Sequence, residues 1–214
     1  MIDDSVRRVI AATKGFMPEG EGAALHAAGL RGGSVGPLLE VGSYCGLSAL
    51  YLGVAAREAG TVLITVDHHR GSEETQPGWE HHDPDVVDAR TGRTDTLPFL
   101  RRTLEDAGLE ESVIPIIGDS PTVSRLVAAG LGLVFIDGGH SLEIAMADYS
   151  AWCGHLAPGG LLAVHDVFED PADGGQAPYE VWRRAVADGF TPLSTTGSLR
   201  VLTAPRPLPA PARP

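Results

Sequence analysis

The chain has 214 residues, 43% hydrophobic and 21% charged, a composition that fits a soluble globular protein with material for one well-formed core. Its 16 Lys+Arg against 28 Asp+Glu give a formal net charge of -12 with no basic stripe, so nucleic acid and anionic membrane are poor partners. No apolar run approaches the ~20 residues that span a bilayer, the opening MIDDSVRRVIAATKGF lacks a signal peptide's basic region, and Cys45 and Cys153 form no disulfide or zinc spacing; a reduced cytoplasm fits.

In chain order, short apolar runs alternate with helical segments, the pattern of a parallel sheet covered by helices on both faces. The predicted strands are 37–42 (PLLEVG), 61–67 (TVLITVD), 112–118 (SVIPIIG), 131–137 (LGLVFID) and 160–166 (GLLAVHD), each apolar enough to be buried on both sides. Residues 68–93, rich in Gly, Pro and His, are too long for an ordinary connection and read as a functional lid over an acceptor pocket, with Trp79 as a cover, or else as a disordered insert. The spacing over 94–112 predicts a helix with Pro98 in its first turn and Gly108 near its stop. In 141–156, Leu142, Ala145, Tyr149, Trp152 and Leu156 recur at helical spacing. Residues 190–204 read as two antiparallel strands around a Thr-Gly turn, and the proline-rich 205–214 as an extended, mobile tail. The domain is therefore expected to be single, spanning 1–204.

Two stretches carry chemistry. LLEVGSYCGLSALYLG is a strand, a glycine-bearing turn and a helix in succession, with Gly42 expected to turn the chain, Gly46 to let backbone approach a ligand, and Glu40 to point into the site. A dinucleotide loop would read G-x-G-x-x-G; here the pattern is E-x-G-x-x-x-G, and a carboxylate suits a cationic ligand better than a pyrophosphate. In the second, LVFIDGGHSLE, a buried strand ends on Asp137 with His140 close behind, and His165-Asp166 ends the next predicted strand. Parallel neighbours lie about 5 Å apart, so these groups can converge. Asp137, His165 and Asp166 would offer two carboxylates and an imidazole, a set for Mg²⁺ or Mn²⁺ with the imidazole tilting toward Mn²⁺, Fe²⁺ or Zn²⁺. Capping of the following helix by Asp137, and a structural pairing of His165 with Asp166, are the bland alternatives.

E-x-G-x-x-x-G resembles motif I of the class I S-adenosylmethionine (SAM)-dependent methyltransferases, and the similarity runs over roughly residues 15–204. It implies a Rossmann-like α/β fold of seven mostly parallel strands with an antiparallel last strand. It also implies cofactor contacts from Glu40, Gly42, Ser43, Tyr44, Gly46, Ser48, Asp67, His68, Asp119, Ser120 and Asp137, with Asp67 on the ribose hydroxyls and the loop at Asp119 on adenine. The Asp137 and Asp166 positions resemble those of metal-dependent O-methyltransferases of the catechol and caffeoyl-CoA type, which carry Asp-Asn where His165-Asp166 stands and a lysine where His140 stands. Both departures are similar to the metal-dependent sugar O-methyltransferases of macrolide biosynthesis, whose D-G-G-H supplies a ligand and a histidine base. That resemblance implies His140 as general base, an imidazole being suited to taking a proton near neutral pH. It also implies a small hydroxylated acceptor, preferably a sugar, glycoside or natural product, and a homodimer as a family-level expectation. A metal-dependent hydrolase or hydroxylase, and a non-catalytic SAM-binding protein, are the rival readings. His68, His69, His81 and His82 fit no regular ligand spacing, His26 and His155 read as surface or core residues, and Cys45 as packing.

Overall fold

The computed structural model describes residues 2–72 and 82–206. After α1 (Asp4–Ala12) and α2 (Glu19–Gly33), strand and helix alternate: β1 (Leu38–Val41), α3 (Leu47–Ala59), β2 (Leu63–Asp67), the short pair β3 (Val87–Asp88) and β4 (Arg93–Thr94), α4 (Leu97–Asp106), β5 (Val113–Ile117), α5 (Ser120–Ser124), β6 (Leu131–Ile136), α6 (Leu142–Trp152), β7 (Leu156–Val164), α7 (Ala177–Ala187), β8 (Thr191–Thr196) and β9 (Leu199–Thr203). The main sheet has seven strands in the order β5-β2-β1-β6-β7-β9-β8. The first five are parallel, and β8 and β9 close the sheet antiparallel, as the sequence predicts.

The middle of the sheet is buried on both faces, which is why β1 and β6 read as unbroken apolar runs. Alternate side chains feed two cores. Leu38, Leu133, Phe135, Leu161 and Ala163 pack with Leu25 and Leu50 under α2 and α3, while Leu39, Val134, Ile136, Leu162 and Val164 pack with Tyr149, Trp152 and Val181 under α6 and α7. β7 starts four residues earlier than the sequence suggests, with a register shift opposite Leu131 and Leu133 that absorbs the Pro158-Gly159 pair. The described part of the 68–93 segment is also not structureless: a 3₁₀ turn at Pro84–Val86 leads into the β3–β4 hairpin. Trp79 and His81 lie outside the described residues, as do 207–214 of the tail. None of the described helices is long and apolar enough to cross a membrane.

Phe135, next to the last residue of β6, has no exposure and packs between the sheet and α2. Phe135→Ala is expected to lower unfolding free energy by about 3–5 kcal/mol, read from urea denaturation of the purified protein.

Candidate active site

A cavity of about 700 Å³ opens over the carboxyl ends of the parallel strands, the edge at which such sheets bind ligands. Gly42, Ser43 and Tyr44 line it after β1, Asp67 and His68 after β2, Asp119 and Ser120 after β5, Asp137 to His140 after β6, and His165 and Asp166 after β7. Ser48, in the first turn of α3, lines it too. At Gly42 (φ 93) a Cβ would fall 2.0 Å from the Asp137 carbonyl oxygen, so two strand ends touch through backbone and no other residue fits. Asp67 organises the neighbouring turn: Oδ2 accepts from the Ser43 and Tyr44 N–H groups at 3.0 and 2.9 Å, and Oδ1 from the His69 N–H at 2.8 Å. Asp119 caps α5 through the Thr122 N–H, and the Ser120 hydroxyl accepts from the Trp152 indole at 2.8 Å.

Two expected contacts are placed differently. Glu40 does not point into the cavity: it shares a sheet face with Leu38, lies beneath the turn with no exposure, and its Oε2 accepts from the Thr65 hydroxyl directly across β2. Burial pushes its carboxyl from the usual 4.5 up to about 7, against the lowering effect of the Ser48 and Thr65 hydroxyls. Gly46 does not face the cavity either; a Cβ there would meet Leu100 at 2.8 Å and Thr103 at 3.2 Å, so its bare Cα lets α4 pack against the start of α3.

The other half of the site gathers three ligand-type groups. One atom each from Asp137, His140 and Asp166 lies within 4.8 Å of the other two, the one such group among the described residues. His140 Nε2 stands 3.4 Å from Asp166 Oδ2. Asp166 has a left-handed backbone (φ 55), and burial raises its carboxyl pKa, while the two histidines beside it act the other way. His165, expected as the third metal ligand, lies outside this group of three. Its Nε2 is 2.6 Å from Glu21 Oε2 and its Nδ1 3.2 Å from Asp137 Oδ1, with Asp166 Oδ1 at 3.5 Å. Burial alone would lower this imidazole's pKa, but the carboxylates of Asp137, Asp166 and Glu21 outweigh it and hold the pKa up at about 9.

Phe16, Met17, Ile144, Phe168 and Pro178 supply the apolar wall beside this group. Lys14 reaches the cavity from the segment between α1 and α2, and its ammonium lies 2.6 Å from Asp83 and 2.9 Å from Asp85, tying that segment to the foot of the 68–93 stretch. His69 turns away, its Nδ1 on the Thr96 hydroxyl at 2.8 Å; His155 bonds the Ser124 carbonyl; and burial pushes the Cys45 thiol up to about 12, which leaves it inert as a nucleophile.

Sequence reasoning missed Glu21, Lys14 and Asp148. Asp148 is readable in retrospect: it sits three residues from Ala145 and four from Trp152 on the buried face of α6, where burial raises its carboxyl to about 6. Glu21 left a weaker signal, an acid within the small-residue run EGEGAALHAAG. Nothing in the sequence pairs Lys14 with residues about seventy positions away.

A family model described as a methyltransferase domain matches residues 39–167. Among solved structures, the chain is similar to the O-methyltransferase TomG from Streptomyces achromogenes, involved in tomaymycin synthesis and solved with SAM (18% identity, 95% of this chain and 91% of that one, TM-score 0.61). It is also similar to an O-methyltransferase from Bacillus cereus in complex with SAH (17% identity, 95% and 92%, TM-score 0.63) and to an SAH-bound methyltransferase from Podospora anserina (16% identity, 94% and 88%, TM-score 0.62). At these identities the likeness is one of fold.

The buried Glu40 gives a signed expectation. The folded state holds its proton up to about pH 7, whereas the unfolded chain releases it near 4.5, so this group withdraws stability as pH rises through that window. Glu40→Gln, which cannot ionise, is expected to match wild type near pH 4.5 and to gain on the order of 2–3 kcal/mol relative to it by pH 8, read from denaturation curves at both values.

Proposed function

Since the chain belongs to the methyltransferase-domain family, with residues 39–167 matching its model, we propose that it transfers the methyl group of SAM to a hydroxyl of a small acceptor with the help of a divalent metal ion. The observation that carries this reading is the convergence of Asp137, His140 and Asp166 on one edge of a cavity whose other edge is the glycine turn after β1. The residues fit both groups. The Ser43–Tyr44 turn, Asp67, His68, Asp119 and Ser120 surround space suited to a nucleoside-bearing cation, and six aspartates line the cavity as a whole. Asp137 and Asp166 offer hard oxygen ligands for Mg²⁺ or Mn²⁺. Bound there, such an ion would supply Lewis acidity that lowers the acceptor hydroxyl's pKa.

The chain's own contribution is positioning and proton transfer. His140 takes the hydroxyl proton at Nδ1, its Nε2–H being turned to Asp166 Oδ2 at 3.4 Å. The apolar wall of Phe16, Met17 and Phe168 excludes water and aligns the acceptor oxygen with the methyl carbon; that oxygen forms the new bond as the thioether sulfur leaves. Charge narrows the acceptor. Among the described residues lining the cavity Lys14 is the one Lys or Arg, and Asp83 and Asp85 already neutralise it, so beyond the proposed metal ion a phosphorylated or carboxylate acceptor finds no lysine or arginine to pair with and meets six aspartates. A neutral sugar, glycoside or other natural product fits better, in keeping with TomG's involvement in tomaymycin synthesis. Two free, buried cysteines accord with a reduced cytoplasm as the proposed compartment.

A second reading, in which His140 is a third metal ligand rather than the base, is favoured by its place in the group of three. Calorimetric titration with SAM and with Mn²⁺ separates the cases. Wild type is expected to bind both, and Asp137→Ala to lose Mn²⁺. His140→Ala should keep both affinities while methyl transfer falls about 10²–10⁴-fold. Loss of Mn²⁺ affinity in His140→Ala would favour the ligand reading, and EDTA-insensitive transfer would remove the metal from the mechanism. Absence of SAM binding would sink the methyltransfer reading and leave the hydrolase alternative, while SAM binding without transfer to any acceptor would leave the non-catalytic one.

A further inference from the structure

The proposed chemistry leaves two buried groups without a task, Glu21 and His165, which are 6% and 3% exposed. Burying ionisable groups is costly unless each is fully partnered, and here the partnering is specific. Glu21 enters from the first turn of α2. Its Oε2 lies 2.6 Å from His165 Nε2 and accepts from the Ser198 hydroxyl at 3.1 Å, while Oε1 accepts from the Ser198 N–H at 2.9 Å. The β8–β9 turn is shaped around this carboxylate: a Cβ on Gly197 would fall 2.0 Å from Oε1. Held at one nitrogen, the imidazole presents the other, Nδ1, to Asp137 Oδ1 at 3.2 Å. The edge of its ring faces Phe135, with centroids 6.3 Å apart. A freely hinged imidazole could swing about its side-chain torsions; this one is met by three residues, from α2 and from β6 and its exit.

We propose that Glu21 is a positioning residue: by holding Nε2 of His165 it keeps Nδ1 on Asp137 and so sets the direction in which the Asp137 carboxylate faces the metal. The inference rests on the metal-assisted reading above. Groups behind a ligand that fix its orientation are worth about 10–100-fold in metal affinity, so the effect is measurable without any acceptor.

The test is Mn²⁺ binding to the full-length protein, read from the free-ion electron paramagnetic resonance signal, with SAM affinity titrated in parallel. Glu21→Gln keeps the side chain's size, but its single acceptor oxygen cannot serve both His165 and the Ser198 N–H. In a variant that still folds it is expected to weaken Mn²⁺ binding about 10-fold or more while SAM affinity stays near wild type. Because Glu21 acts through His165, adding Glu21→Gln to His165→Gln should cost nothing further. If Glu21→Gln fails to fold, Glu21→Asp, which keeps the charge but draws the carboxylate back from His165 Nε2, carries the same test with an expected loss of about 3-fold. Unchanged Mn²⁺ affinity in a folded variant, parallel loss of Mn²⁺ and SAM affinity, or additive losses in the double variant would each overturn the assignment. No Mn²⁺ uptake by wild type would instead remove the metal reading, and this inference with it.

Discussion

The hydrogen-bond ladder of the parallel sheet does not stop where its strands do. Past the last paired residues, the Gly42 N–H donates to the Val66 carbonyl at 3.0 Å, the Asp137 N–H to that of Val41 at 2.9 Å, and the His165 N–H to that of Ile136 at 3.2 Å. Four chain exits are thereby held in line at the ~5 Å spacing of the sheet before any loop begins. The cavity, the turn that Asp67 holds, and the meeting of Asp137 with Asp166 all follow from this alignment. The loops need only supply side chains to a frame the backbone has already set. Three non-glycine residues, Tyr44, His69 and Asp166, sit in left-handed conformations next to these exits, each a cost of about 1–3 kcal/mol that an aligned and fully bonded surrounding sustains.

The same alignment explains what could be read from the sequence. An apolar run that ends on an acid, a histidine or a glycine marks a strand leaving its sheet, and such endings outline the five parallel strands, their common edge and most of the residues lining it. Parity within a strand was harder to read. Glu40 shares a face with Leu38 and is buried under α3, so a charge that appeared to belong to the ligand belongs to the layer below it. His165 continues the parity of Leu161 and Ala163 toward α2, which carries it to Glu21. Asp166 would point the other way in an extended chain, and it meets His140 where the backbone turns left-handed.

What stayed illegible was contact between segments remote in sequence. Glu21 meets His165 across 144 positions and Ser198 across 177, and no local pattern encodes such a meeting. Gly46 misled for a related reason. A glycine at a strand-to-helix turn reads the same whether its missing side chain makes room for a ligand or for another helix, and here the neighbour is α4.

The walls of the proposed acceptor side come from the segment between α1 and α2, residues 71–72 and the loop after β7, joined by the tie from Lys14 to Asp83 and Asp85. None of these pieces contributes a strand to the main sheet. Apart from Met17, which packs against the first core, and Val167, which belongs to the second, their side chains lie outside the two cores. Under the methyl-transfer reading proposed above, the half of the cavity that would choose an acceptor is freer to drift than the half that would hold the methyl donor, which stays bound to the folding of the whole, so that a new specificity would cost this architecture little stability.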